Sequence, residues 1–149
     1  MSRKPKVLCL DLEGTLISNA VSQLPRPFLK DFLDGCEVLF ERIAMYTSVP
    51  ESTFRTIAAL LVSEGVVPAW FQAVEYIDWE GPVKDLAFVG EVAPDEVILV
   101  DDIDLVVHAE QRNQWVRVEP FVAPYSASDA ELKRVLGELK RRLDVSKPN

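Results

Sequence analysis

Carboxylates, hydroxyls and one lysine occupy the polar segments that interrupt the apolar runs of this 149-residue sequence. Asp11-Leu-Glu13-Gly-Thr15 follows Val7-Leu-Cys-Leu10, Thr47-Ser48 follows Ile43-Ala-Met-Tyr46, Lys84 lies within Pro82 to Val89, and Asp101-Asp102 closes Val97-Ile-Leu-Val100. Together these residue types can make a phosphate site. Carboxylate oxygens are hard ligands suited to Mg²⁺, while an ammonium and a hydroxyl can neutralise and hydrogen-bond the remaining phosphoryl oxygens.

Each residue alone has a plainer use. An Asp at a strand end serves as a loop residue or helix cap, Thr47 or Ser48 can cap the helix that Pro50 starts, Lys84 can be a solvated lysine, and Asp101-Asp102 a polar turn. The conjunction carries the weight: all four elements fall at strand ends or in a crossover, on what should be one edge of a sheet.

The elements that must position them follow from hydrophobic periodicity. Val7–Leu10, Ile43–Tyr46 and Val97–Val100 lack polar alternation, as strands buried on both faces do. Phe28, Leu29, Phe32 and Leu33 have helical spacing, with Gly35 placed to end the helix. Phe54, Ile57, Ala58, Leu61 and Val62 trace a second helical face between Pro50 and an exit at Gly65. Ala73 to Ile77 suggests a short strand, Pro82 to Val89 a short helix stopped by Gly90, and Trp115 to Val118 an outer strand. Ser128 with Glu131 has the form of a capping box before Leu132, Val135, Leu136, Leu139 and Leu143. Strands alternating with helices imply an α/β fold, a doubly wound, Rossmann-like parallel sheet in three layers. In such sheets ligands bind beyond the carboxyl ends of the strands, near a switch in strand order.

Composition bounds the function. With 48% hydrophobic and 27% charged residues the chain is expected to form one globular domain over 1–149. A net charge of -8 and a pI near 4.7 repel polyanions and argue against nucleic acid as partner. No apolar run approaches the roughly 20 residues that span a bilayer, and the basic start at Met1 to Lys6 leads straight into a strand pattern, so a cytoplasmic protein without a membrane partner is expected. Cys9 and Cys36 form neither a disulfide framework nor a thiolate metal site and read as reduced structural residues. Lys133, Arg134, Lys140, Arg141 and Arg142 fit a solvated helix face. His108 has no partner nearby in sequence and reads as structural. Trp70, Phe71 and Trp79 fit a core, with a substrate groove as their other use.

The local wording of these segments resembles the haloacid dehalogenase (HAD) superfamily, and within it the small phosphatases that act on the C-terminal tail of RNA polymerase II, the NLI-interacting-factor-like branch. The resemblance is carried by Arg26-Pro-Phe-Leu29 with Phe32-Leu33, Tyr46-Thr47-Ser48, Val83-Lys84-Asp85-Leu86 with Gly90, and Val97-Ile-Leu-Val-Asp-Asp102. It implies a HAD-like fold without a large cap and a Mg²⁺-dependent phosphatase. Asp11 would be nucleophile and metal ligand, the Glu13 carbonyl a second ligand and Asp102 a third, with Asp101 close behind. Thr47 and Lys84, with Thr15 and Ser48, would bind the phosphoryl group of a phosphopeptide or phosphorylated small molecule.

One position departs from that pattern, because Glu13 stands where the family has an acid-base aspartate. Its side chain is longer by one bond, about 1.5 Å, and a misplacement of about 1 Å can cost on the order of a hundredfold in rate. Two readings follow: a working general acid in an adjusted site, or weakened turnover in a phosphate- or phosphopeptide-binding module. A receiver-type signalling domain uses similar groups, but its acidic pair comes first in the chain and its lysine last, an order this sequence does not follow.

Overall fold

The computed structural model describes residues 5–146, and five parallel strands organise them. These are β1 (Val7–Leu10), β2 (Arg42–Met45), β3 (Glu75–Tyr76), β4 (Val97–Asp101) and β5 (Trp115–Arg117), in the spatial order β3-β2-β1-β4-β5. Three helices accompany them: α1 (Leu29–Leu39), α2 (Glu51–Ser63) and α3 (Glu131–Ser146). Among the described residues no helix is long and apolar enough to cross a membrane.

The sheet is covered on both faces, and the cover follows from the order of its strands. From β1 through β2 to β3 the chain moves outward in one direction, so right-handed crossovers put α1 and α2 on one face. Leu8, Leu10, Met45, Ile98 and Val100 point to that face and share a core with Phe32, Leu33, Phe54, Ile57 and Leu61, and α3 returns to it through Leu132, Val135 and Leu139. From β3 the chain crosses back to β4 and β5 in the opposite direction. Its connection lies on the other face, where Val7, Cys9, Ala44, Val97 and Leu99 pack against Ile77, Leu86 and Val89. That layer is wound as short 3₁₀ turns.

Three local expectations are corrected. Gly35 does not end α1; it lies inside the helix, where a Cβ would come within 2.8 Å of Leu136 Cδ2 on α3, so the missing side chain lets the two helices approach. The expected capping box does not form. The Ser128 hydroxyl bonds Ser126, the Glu131 carboxylate accepts from Glu119 N, and Asp129 Oδ1 accepts from Glu131 N. The helix expected over Pro82–Val89 shrinks to a 3₁₀ turn, Leu86–Val89, capped by Asp85 Oδ1 on Ala87 N. Lys84 N donates instead to Val106 O at 2.7 Å, a partner no helix interior could supply. The exit of α2 is as expected: Gly65, at φ 73°, donates to Val62 O and Val66 N to Leu61 O, the paired bonds of a Schellman motif.

Gly35→Val should lower the unfolding free energy by about 2 kcal/mol through overpacking. Combined with Leu136→Ala, which opens space opposite, it should cost less than the sum of the two single changes, as a urea-denaturation cycle would measure.

Candidate active site

The strand order reverses between β1 and β4, and both strands end in carboxylates. Leu10 lies opposite Val100, so Asp11 and Asp101 emerge side by side, joined by a bond from Asp11 N to Val100 O at 3.0 Å. On the other flank Tyr46 N donates to Leu10 O, which brings Thr47 to the same edge. Adjacent strands lie about 4.8 Å apart, so three chain segments distant in sequence deliver their polar side chains to one crevice. Carboxylate oxygens of Asp11, Asp101 and Asp102 fall within 4.8 Å of one another.

Lys84 is the cation of this cluster. Its Nζ donates to Asp11 Oδ1 at 3.0 Å and to Asp101 Oδ2 at 2.5 Å, and lies 5.9 Å from the centre of the Tyr46 ring. Lys84, Asp11 and Asp101 are all buried. Asp101 Oδ1 accepts from Ile103 N, so both of its oxygens are engaged. Thr15, fully buried, places Oγ1 3.1 Å from Asp11 Oδ2 and 3.4 Å from Asp102 Oδ1. Gly14 makes this approach possible: at φ 76° it holds a conformation that side chains resist, and a Cβ there would sit 2.4 Å from Asp102 Oδ2.

Two buried acids and the half-buried Asp102 stand around one ammonium, and burial is the leading influence on their ionisation. Burial pushes Asp101 up to about 6, with Asp11 adding to the rise and Lys84 opposing it. Burial likewise raises Asp11 against the pull of Lys84, and raises the half-buried Asp102. Burial works against the Lys84 ammonium, but Asp11 and Asp101 outweigh it and hold its pKa above the ordinary value. The donors are hard oxygens, the chemistry of a Mg²⁺ site. Among the described residues no hydrogen bond reaches the Glu13 carbonyl oxygen on the same loop.

The remaining sequence candidates lie around this cluster. Thr47 is buried, with Oγ1 accepting from Val49 N and its carbonyl accepting from Trp79 Nε1, while Ser48 is exposed beside it. The Glu13 carboxylate is not among the clustered oxygens and accepts the Ala20 amide at 2.7 Å. His108 caps a 3₁₀ turn by accepting from Glu110 N, as a structural residue does. Of the aromatic trio, Phe71 is core and Trp70 packs against it, whereas Trp79 stands beside Thr47.

Arg26, in sequence only a part of the family-like wording, braces the loop that follows Asp11. Its buried guanidinium donates from Nη1 to the carbonyls of Gly14 and Thr15 at 3.2 and 3.3 Å and pairs through Nε and Nη2 with Asp129. It also lies 5.3 Å from the centre of the Phe121 ring, whose residue donates N–H to Gly14 O. The local signal was an arginine between two prolines, Pro25 and Pro27, in a segment bound for the core.

Comparison with known proteins adds the following. Residues 6–148 match the model of a protein family described as NLI interacting factor-like phosphatase. No individual curated protein matches the chain. A point variant of the fission yeast RNA polymerase II CTD phosphatase Fcp1, bound to beryllium fluoride, is similar in structure, with a TM-score of 0.57 and 18% identity over 97% of this chain and 52% of that one. A second structure of Fcp1, described as an essential RNA polymerase II CTD phosphatase, gives a TM-score of 0.58 and 18% identity over 97% of this chain and 50% of that one. The chain therefore spans about half the length of the structures it matches, and at this identity they establish the fold.

Two outcomes follow from the electrostatics and the brace. A carboxyl whose pKa is raised by folding keeps a proton that the unfolded chain releases near about 3.9, so the folded state binds more protons over that interval and stability falls as pH rises. Chelator-treated protein should lose about 3 °C or more of melting temperature between about pH 5 and pH 7.5, and Asp101→Asn should flatten that slope in a thermal scan. Arg26→Met should lower the unfolding free energy by about 3 kcal/mol by stranding its buried partners. Asp129→Asn, at a partly exposed carboxylate, should cost about 1 kcal/mol in the same denaturation assay.

Proposed function

The chain belongs to the NLI interacting factor-like phosphatase family, and from that premise we propose that it is a HAD-type phosphatase that hydrolyses phosphomonoesters through an aspartyl phosphate on Asp11. The observation that carries this reading is the convergence of Asp11, Asp101 and Asp102 within 4.8 Å, with the Lys84 ammonium 3.0 Å from Asp11. Asp11 Oδ would attack phosphorus in line with the leaving oxygen. Lys84 would hold Asp11 as the carboxylate and offset the charge of the phosphoryl oxygens, and Thr47, with Thr15 and Ser48, would donate hydrogen bonds to them. Asp11, Asp102 and the Glu13 carbonyl would hold Mg²⁺, with Asp101 behind them positioning Lys84. A bound Mg²⁺ supplies charge neutralisation at the phosphoryl oxygens. The working unit is taken to be one HAD-like hydrolase domain over 1–149.

Glu13 is the general acid and base in this scheme: it protonates the leaving alkoxide, then takes a proton from the water that attacks the acyl phosphate. Its bond to Ala20 N uses Oε2, leaving Oε1 free. That same tether favours a second reading, a binding module with slow turnover, because it engages the longer side chain with the Ala20 amide and Glu13 is not among the clustered carboxylates.

Phosphorylated serine or threonine in a peptide is the preferred substrate class. The structurally similar Fcp1 is described as a phosphatase of the RNA polymerase II CTD, and Val21, Ile103 and Leu105 stand exposed on loops leaving the catalytic edge of the sheet. Such a rim suits a polypeptide better than a small polar metabolite.

Purified protein assayed with Mg²⁺ and with chelator, against phosphomonoesters and phosphopeptides, should release phosphate only with the metal. Asp11→Asn should abolish release and Glu13→Gln should reduce it about a hundredfold. If the wild-type protein releases no phosphate from any of them yet binds phosphopeptides in calorimetry, the enzymatic reading fails and the binding module stands.

A further inference from the structure

Beside the carboxylate crevice, on the β2–β3 side, lies a hollow of about 210 Å³ lined by Thr47, Ser48, Tyr76, Asp78, Trp79 and Glu80. It adjoins the catalytic edge through Thr47, a buried residue that follows Tyr46, whose amide donates to Leu10 O beside Asp11. Its aromatic walls are fixed to that edge. Trp79 donates Nε1–H to Thr47 O at 2.9 Å and stacks at a tilt on Tyr46, ring centres 5.4 Å apart, while Tyr76 donates its hydroxyl to Val49 O.

The charge of the hollow is one-sided. Asp78 and Glu80 are both exposed, and among the described residues neither is engaged in an ion pair. Lys84 is committed to Asp11 and Asp101. Two carboxylates beside two aromatic rings attract an ammonium or guanidinium, by Coulomb attraction and by the negative ring faces. The same groups repel a second phosphate or an acidic side chain.

Resting on the phosphatase reading for where the phosphoryl group sits, we propose that this hollow receives a lysine or arginine side chain flanking the phosphorylated residue of a peptide substrate. Asp78 and Glu80 are then specificity-determining residues, and Tyr76 and Trp79 position the aliphatic stem of the basic side chain, as amphipathic side chains pack. The arrangement separates two tasks: the crevice recognises the phosphoryl group that every substrate shares, and the hollow distinguishes what lies next to it.

The test compares kcat/KM for phosphoserine peptides that differ only in flanking residues, Lys against Glu, with phosphoethanolamine as a small cationic phosphomonoester. The Lys peptide should be preferred about tenfold, as two solvent-facing charge contacts allow. That ratio should fall toward one in the Asp78→Asn/Glu80→Gln double variant and when salt is raised to about 0.5 M. Both positions are exposed, so the double variant should fold as the parent does. Equal rates for the two peptides, or a preference that survives in the double variant, would overturn the proposal. Phosphoethanolamine turned over as well as the Lys peptide would overturn its assignment to a peptide. If nothing is turned over, the phosphatase reading falls while this proposal is still decided by calorimetry with the same peptides: a tenfold tighter Kd for the Lys peptide supports it, and equal affinity or no binding refutes it.

Discussion

A buried ammonium held between two buried carboxylates is the interaction on which the rest of this molecule turns. Without Lys84, Asp11 and Asp101 would face each other and Asp102 with no counter-charge, and desolvated carboxylates in that position take up protons. With Lys84 in place burial still pushes Asp101 and Asp11 up, against the pull of the ammonium. On the proposed function, a divalent ion held by these oxygens would offset the carboxylate charge, and a phosphoryl group would meet the Lys84 ammonium.

Backbone rather than side chains brings the members of that cluster together. Asp11 and Asp101 meet because β1 and β4 are hydrogen-bonded neighbours at the point where the sheet changes winding direction, the place where α/β sheets open a crevice. Lys84 reaches them because its own amide is tied to Val106 across the following loop. The loop after β1 is then pinned from behind, by Arg26 on the Gly14 and Thr15 carbonyls and by Phe121 N on Gly14 O. The brace extends through Asp129 to the start of α3, so an element late in the sequence helps fix the first motif.

The strands and their terminal carboxylates were legible in the sequence because both depend on short-range order: four or five apolar residues without alternation, then acid. The parallel sheet and the gathering of Asp11, Lys84, Asp101 and Asp102 followed from that pattern. Features set by distant partners did not. Gly35 looked like a helix stop because local rules see its backbone freedom and not Leu136 across the gap. Ser128 and Glu131 had capping-box spacing, but Glu119 N and Arg134 claimed the glutamate. The Arg26 network joins positions more than a hundred residues apart, and the hollow beside Thr47 exists only once Trp79 has swung back onto the second strand.

Charge on the scale of the whole chain and charge at the site make opposite demands, and screening reconciles them. A net charge of -8 repels a phosphorylated partner at long range, but at physiological ionic strength that field decays over about 8 Å. Within such a distance local groups count most, and there the Lys84 ammonium is held between Asp11 and Asp101 while the neighbouring hollow presents Asp78 and Glu80. An acidic surface then does not oppose phosphate binding in general. It disfavours segments in which phosphate is surrounded by more negative charge, and leaves standing those in which a basic residue accompanies it. On the proposed function, with the crevice taking the phosphoryl group that every substrate shares, selection among phosphorylated segments would fall to the neighbouring hollow, where Asp78 and Glu80 supply negative charge.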